Sequence, residues 1–134
     1  MRHAESTFRI LYVSQLAPGQ SFTTLKQIAA VARVRNPESR ITGALLFDGE
    51  RFCQLIEGPE ADVKALMVAI ALDPRHTDVR LLFEAPVSGE RIMTRWVSGY
   101  CEPRELDRFA AGTELHGQAA LLAFGKLLVS ADTE

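Results

Sequence analysis

Apolar positions along the chain change period several times. Over Phe8–Ser14, the residues Phe8, Ile10 and Tyr12 fall on one side and Arg9, Leu11 and Val13 on the other, the period of two that marks a strand. The segment QLAPGQSF reads as a loop around Pro18 and Gly19. Thr24 and Gln27 then fit a capping box, and Leu25, Ile28, Ala32 and Arg35 keep helical spacing, so a helix is predicted over 23–35. It should stop at Asn36, because a residue before proline is pushed out of the helical region. Apolar runs resume on both sides of Asp48-Gly49, a strong signal for a two-residue hairpin turn, and predict strands over 41–47 and 51–57. A turn made by those two residues puts Phe47 opposite Glu50, Leu45 opposite Phe52 and Gly43 opposite Gln54. Gly58-Pro59 should open a second helix with proline at its first position, Glu60 and Asp62 in the first turn, and Val63, Leu66, Met67 and Ile70 as its apolar stripe. Asp73-Pro74 ends it. Two further strands are predicted at Val79–Glu84 and Arg91–Tyr100.

The resulting order, β-α-β-β-α-β-β, predicts a ferredoxin-like α+β sheet with both helices on one face. The reverse face would then carry Leu11, Val13, Ala44, Leu46, Cys53 and Leu55, which is too apolar for water. Two closing segments are available to cover it, PRELDRFAAG and Glu114–Ser130, the latter with Leu121, Phe124 and Leu128 at helical spacing. They could equally bury that surface against a second copy of the chain, which makes a homo-oligomer an expectation. The division expected is a unit over 6–100 with a helical extension over 101–134 in the same compact body.

Composition narrows the function classes. With 134 residues the chain is one domain long, and 47% hydrophobic content excludes disorder. A net charge of −2 with dispersed arginines gives no electrostatic case for nucleic acid. Cys53 and Cys101 show no metal or disulfide spacing, which favours a reducing, cytoplasmic setting. No run approaches the roughly 20 apolar residues of a membrane span, and MRHAESTF carries no secretory pattern.

One residue does not fit the packing pattern. Phe52, Gln54 and Ile56 share a face of the second hairpin strand, and a carboxamide on an apolar face costs about 1–3 kcal/mol if unpaired. Beside a glycine, such an amide suggests a slot for a flat ligand with polar atoms. Each candidate also has a plain structural reading: Tyr12 as core, Asn36 as a helix stop, Asp73 as a helix end, Arg75 and His76 as solvated loop, Trp96 as packing. Gln54 is the hardest to read that way, because its strand is central.

Taken together, LYVS at 11–14, RN with ITGALLF at 35–47, FCQLIEG at 52–58, DPRH at 73–76 and RIMTRWVSGY at 91–100 resemble the BLUF family, blue-light sensors that use FAD. The resemblance spans about residues 6–100. It implies a flavin ring held between the two helices above the sheet, as FAD, with FMN or riboflavin as alternative bound species. Gln54 would meet flavin N5 and O4, Tyr12 would hydrogen-bond Gln54, and Asn36, after Arg35, would hold the O4/N3 edge. Asp73, Arg75 and His76 correspond to residues at the pyrimidine edge or ribityl side, and Ile28 and Ile70 would sandwich the ring. In the family's last strand a tryptophan and a methionine are thought to trade exposure. Here Trp96 is followed by Ser98 where the methionine commonly stands.

The chemistry suits these residue types. A phenol can give an electron and then a proton to an excited flavin, and a carboxamide both donates and accepts, so Gln54 can bridge Tyr12 to a ring nitrogen. The expected function is a photoreceptor, not an enzyme, that signals through its last strand and closing helices to a downstream protein or another copy. The alternatives are a light-insensitive flavin-binding or dimerisation module and an acylphosphatase-like hydrolase. For the latter QLAPGQSF is a weak anion loop, and no G-x-G-x-x-G or P-loop is present.

Overall fold

The structure, a computed structural model, describes residues 7–110 and 114–133. Residue 6, the Ala111–Gly112 end of the first closing segment and the final residue lie outside them. The elements run β1 (Thr7–Leu16), α1 (Phe22–Glu38), β2 (Thr42–Phe47), β3 (Arg51–Pro59), α2 (Glu60–Leu72), β4 (His76–Val87), β5 (Trp96–Tyr100), α3 (Pro103–Leu106) continuing into a 3-10 turn (Asp107–Phe109), α4 (Gly117–Ser130) and β6 (Asp132–Thr133). The strands form one mixed sheet in the order β4-β1-β3-β2-β5-β6. All neighbours are antiparallel except β2 and β5. The β-α-β-β-α-β-β order and the α+β class are those predicted, with a two-residue strand added at the edge.

Period-two alternation sorts the side chains onto two faces. Ile10, Tyr12, Ile41 and Ile56 pack with Val63 and Leu66 of α2, and Leu45, Phe47, Phe52 and Trp96 pack with Leu25 and Ala32 of α1. On the reverse face Leu11, Val13, Ala44, Leu46, Cys53 and Leu55 are buried under Leu106, Phe109, Leu121, Phe124 and Leu127. The closing segments of the same chain therefore cover the back of the sheet. Cys53 is sealed in that layer, whereas Cys101, just past β5, is half-buried, and both are free thiols.

Several boundaries differ from expectation, each for a local reason. The turn residues are Gly49-Glu50, not Asp48-Gly49: Asp48 donates its N–H to the Arg51 carbonyl at 3.2 Å, and its side chain accepts from the N–H groups of Glu50 and Arg51. The register moves accordingly, so Leu45, not Gly43, lies opposite Gln54, and Gly43 pairs with Ile56. Gly43 is needed for another reason: at φ 148°, a Cβ there would come within 1.9 Å of the Leu55 carbonyl oxygen.

Helix α1 runs through Asn36 and Pro37 to Glu38, because proline in the last turn forfeits one hydrogen bond while the Asn36 carbonyl still receives the N–H groups of Ser39 and Ile41. Its N-cap is Ser21, and Thr24 bonds Gln20 in place of the expected capping box. Pro59 ends β3 as the N-cap of α2, one residue earlier than the first helical position. The last strand is only Trp96–Tyr100. The N–H groups of Ile92 and Met93, expected in a ladder, instead go to the carboxylate of buried Glu57, at 3.0 and 2.9 Å.

Candidate functional site

Tyr12 and Gln54 stand directly opposite each other on the adjacent central strands β1 and β3, both buried. The Tyr12 hydroxyl donates to Gln54 Oε1 in a short hydrogen bond. Burial pushes the Tyr12 phenol well above its ordinary pKa; the negative fields of Cys53 and Asp73 add to this, against a smaller opposing pull from Arg35. The phenol therefore stays protonated and remains a donor. Its acceptor, the Gln54 carbonyl, leaves the amide N–H groups to the cavity that the residue lines.

That cavity has a volume of about 420 Å³ and lies between α1 and α2 above the sheet, within the usual range for a small-molecule site. Tyr12, Phe52 and Gln54 form its floor, Ile28, Ala32 and Arg35 its α1 wall, and Leu66, Ala69 and Ile70 its α2 wall. The turn after α2 closes one end with Asp73, Pro74, Arg75 and His76. Ile28 and Ile70 thus belong to opposite walls.

The closing turn is tightly bonded. Arg75 donates to Asp73 from its backbone N–H at 2.9 Å and from its guanidinium at 2.6–3.0 Å. The side-chain bonds from Arg75 hold the Asp73 carboxyl below its ordinary range against an opposing effect of burial, and Asp73 in turn raises Arg75. His76 donates Nε2–H to the Ile70 carbonyl at 2.5 Å, so in the neutral ring Nδ1 accepts from the Ser14 hydroxyl at 2.9 Å. Its ring packs edge-on against Tyr12 and Phe52. Both His76 nitrogens are therefore engaged inside the chain.

The structure brings Tyr12, Ile28, Arg35, Gln54, Ile70, Asp73, Arg75 and His76 around one cavity and leaves three candidates off its wall. Asn36 is 0% exposed beneath Arg35; its Oδ1 accepts from Arg35 Nε at 3.3 Å, while its Nδ2 has no hydrogen-bond partner among the described residues. An amide donor buried without an acceptor costs free energy. Trp96 packs against Leu25, Ala32, Leu45, Phe47 and Phe52, with its indole N–H also unpartnered among the described residues. Ser98 lies beyond Leu45, on a separate groove. Ser14 was missed in the sequence, although it sits two residues after Tyr12 on the same face.

A family model described as BLUF, sensors of blue light using FAD, matches residues 7–99. The chain belongs to the BLUF family. Among BLUF-containing relatives, it is 39% identical over 70 residues to the blue light- and temperature-regulated antirepressor BluF of Escherichia coli (strain K12), a match covering 52% of this chain and 17% of that protein. It is 41% identical over 83 residues to the photoactivated adenylate cyclase subunit alpha of Euglena gracilis, covering 62% of this chain and 8% of that protein. The chain thus spans less than a fifth of these relatives, and the cyclase activity named for the Euglena protein is a property of that whole protein. Among solved structures, the dark-state BLUF protein BlrB superposes with a TM-score of 0.74 at 26% identity over 96% of this chain and 98% of its own. Klebsiella pneumoniae BlrP1, with FMN and cyclic diGMP, superposes with a TM-score of 0.66 at 27% identity over 90% of this chain and 34% of its own. The BLUF match covers β1 to β4, β5 up to Gly99, and both helices that wall the cavity.

The cavity fits a BLUF flavin on two counts: an isoleucine on each of its facing helical walls, and a buried phenol–carboxamide pair on the floor.

Proposed function

We propose that this chain binds FAD in the cavity between α1 and α2 and senses blue light through Tyr12 and Gln54. The observation that carries this reading is the Tyr12 hydroxyl donated to Gln54 Oε1 on the cavity floor. The flavin, when bound, supplies blue-light absorption and an excited state that accepts an electron.

The protein's part follows from its own groups. Tyr12, held neutral by burial, is placed to release an electron and pass its proton toward Gln54; return of both restores the phenol. Between departure and return the Gln54 carboxamide rotates or tautomerises, and either change exchanges its donor and acceptor ends. Ile28 and Ile70 would flank the ring, Asn36 Nδ2 would have to turn from behind the wall to meet its carbonyl edge, and Asp73, Arg75 and His76 would close the end of the cavity. The altered bonds bias β3 and β2, then Trp96 and Ser98 on β5, which pairs with β2. Output passes through protein contacts, and α4 offers exposed Leu122 and Val129 for a second copy or a downstream partner. A surface biased by a few kcal/mol is enough.

A light-minus-dark spectrum of the purified chain tests this. The protein should be yellow, its flavin band should move to the red under blue light and recover in the dark, and the extracted flavin should chromatograph as FAD. Gln54→Leu and Tyr12→Phe should each keep the flavin and lose the shift. A normal shift in either variant removes that residue from the mechanism, and a colourless protein that takes up no flavin ends the reading.

A further inference from the structure

A second hollow, of about 310 Å³, lies between α1 and β5 on the far side of Leu45 from the flavin cavity. It exists because the facing residues are short: Ala29 and Ala30 on the helix, Ser98 and Gly99 on the strand. Leu25, Leu45 and Phe47 make an apolar floor, and half-exposed Tyr100 forms one rim. Among the described residues that line it, the two charged ones are both cations, Lys26 and Arg33. They stand seven positions apart on α1, two turns and therefore on one face, about 10 Å apart along the axis.

An apolar trough that carries two cations, and no acid among its described lining residues, is complementary to an anion with a flat, apolar body. We propose that this groove is a second ligand site, distinct from the flavin cavity, that binds a small aromatic carboxylate. The volume sits at the lower end of the range for small-molecule sites, which suits one or two fused rings and excludes a dinucleotide. The ring lies on Leu45 and Phe47 against Tyr100. Its carboxylate pairs with Lys26 or Arg33, in exchange for contacts these side chains already make, and the Ser98 hydroxyl offers one further donor. The site uses none of the residues assigned to the photochemistry except Ser98, so it stands whether or not the light reaction proceeds as proposed.

The test titrates the full, flavin-loaded chain with 1-naphthoate and with its neutral counterpart 1-naphthalenemethanol, by calorimetry, while flavin absorbance reports whether the cofactor stays bound. The expected result is saturable one-to-one binding of the carboxylate, at least tenfold tighter than the alcohol, with no flavin released. Ser98→Leu, which fills the hollow from the strand, should weaken 1-naphthoate at least tenfold; Ala30→Leu fills it from the helix and serves if the strand variant does not fold. Lys26→Gln with Arg33→Gln should bring the two probes within threefold of each other. Absence of saturation, equal affinity for acid and alcohol in the unaltered chain, undiminished binding in a folded filled variant, or binding that expels the flavin each overturns the proposal.

Discussion

At the scale of single residues, the site separates groups whose charge is fixed from one that titrates. Tyr12 is kept neutral by burial, so its donor role does not change across the physiological range. Asp73 is different. Its pKa is held below the ordinary 3.8 by the bonds from Arg75, so the unfolded chain binds the proton more readily than the folded one. The stabilisation is therefore complete above pH ~4 and is lost as pH falls through the folded-state value. In thermal melts from pH 6 down to 2.5, Asp73→Asn should start from a lower melting temperature and show a shallower acid decline than the unaltered chain. Equal slopes would mean that the pair contributes nothing to acid sensitivity. Gln54 stood out from the residues themselves, whereas Tyr12 and the Asp73–His76 turn became candidates through the family resemblance. Neither route showed how the turn would be bonded, or that His76 spends both nitrogens inside the chain, because that depends on where the Ile70 carbonyl ends up.

At the scale of elements, periodicity located β1 to β5 and both helices that pack on them, but not the short edge strand β6, while the ends were decided by contacts distant in sequence. The β4–β5 connection is the clearest case. Arg91–Arg95 reads as strand by composition, yet its backbone bonds are drawn off by Glu57, 35 and 36 positions away from Ile92 and Met93. Glu57 is fully buried and also takes Arg9 Nε and a second guanidinium nitrogen at 2.8 Å. Removing one partner of such a group leaves the others unsatisfied, at a cost of about 3 kcal/mol. Glu57→Ala should lower the urea-unfolding free energy by roughly that amount and expose the amides of Ile92 and Met93 to exchange. Glu57→Gln removes the charge and turns an NH2 toward donors that one oxygen had served, but it keeps the other oxygen as an acceptor, so it should lose more than about 1 kcal/mol and less than Glu57→Ala. Equal losses in the two variants would show that the acceptor Gln retains contributes nothing. The hairpin carries a second lesson: Asp48-Gly49 marks a turn correctly, but the Asp48 side chain takes two backbone N–H groups and moves the turn on by one residue, which shifts the pairing opposite Gln54 by two.

At the scale of the whole molecule, a sheet apolar on both faces demanded two covers, and that much was legible in the alternation of β1, β2 and β3. Which chain supplies the second cover was not, since an amphipathic helix serves a neighbour as well as its own sheet. The answer lies in two arginine contacts. Arg51 reaches the Pro103 carbonyl at 2.8 Å and Asp107 at 2.7 Å; Arg80 reaches the carbonyls of Phe109 and Ala110 at 3.1 and 2.9 Å. These fasten α3 and its 3-10 turn to β3 and β4. Burial works against the charge of Arg51, and its bonds to Asp107 and Asp48 outweigh it.

The cover has a practical corollary in its two thiols. Cys53 lies beneath it, with burial holding its pKa well up, while burial and the nearby carboxylates of Asp48 and Glu105 push Cys101 up to about 12. Thiolates, not thiols, react with alkylating reagents. Iodoacetamide at neutral pH should therefore add one slow label per folded molecule and a second only when the helical lid lifts away. Mass spectrometry of the intact chain thus becomes a counter of lid opening, in darkness and under illumination alike.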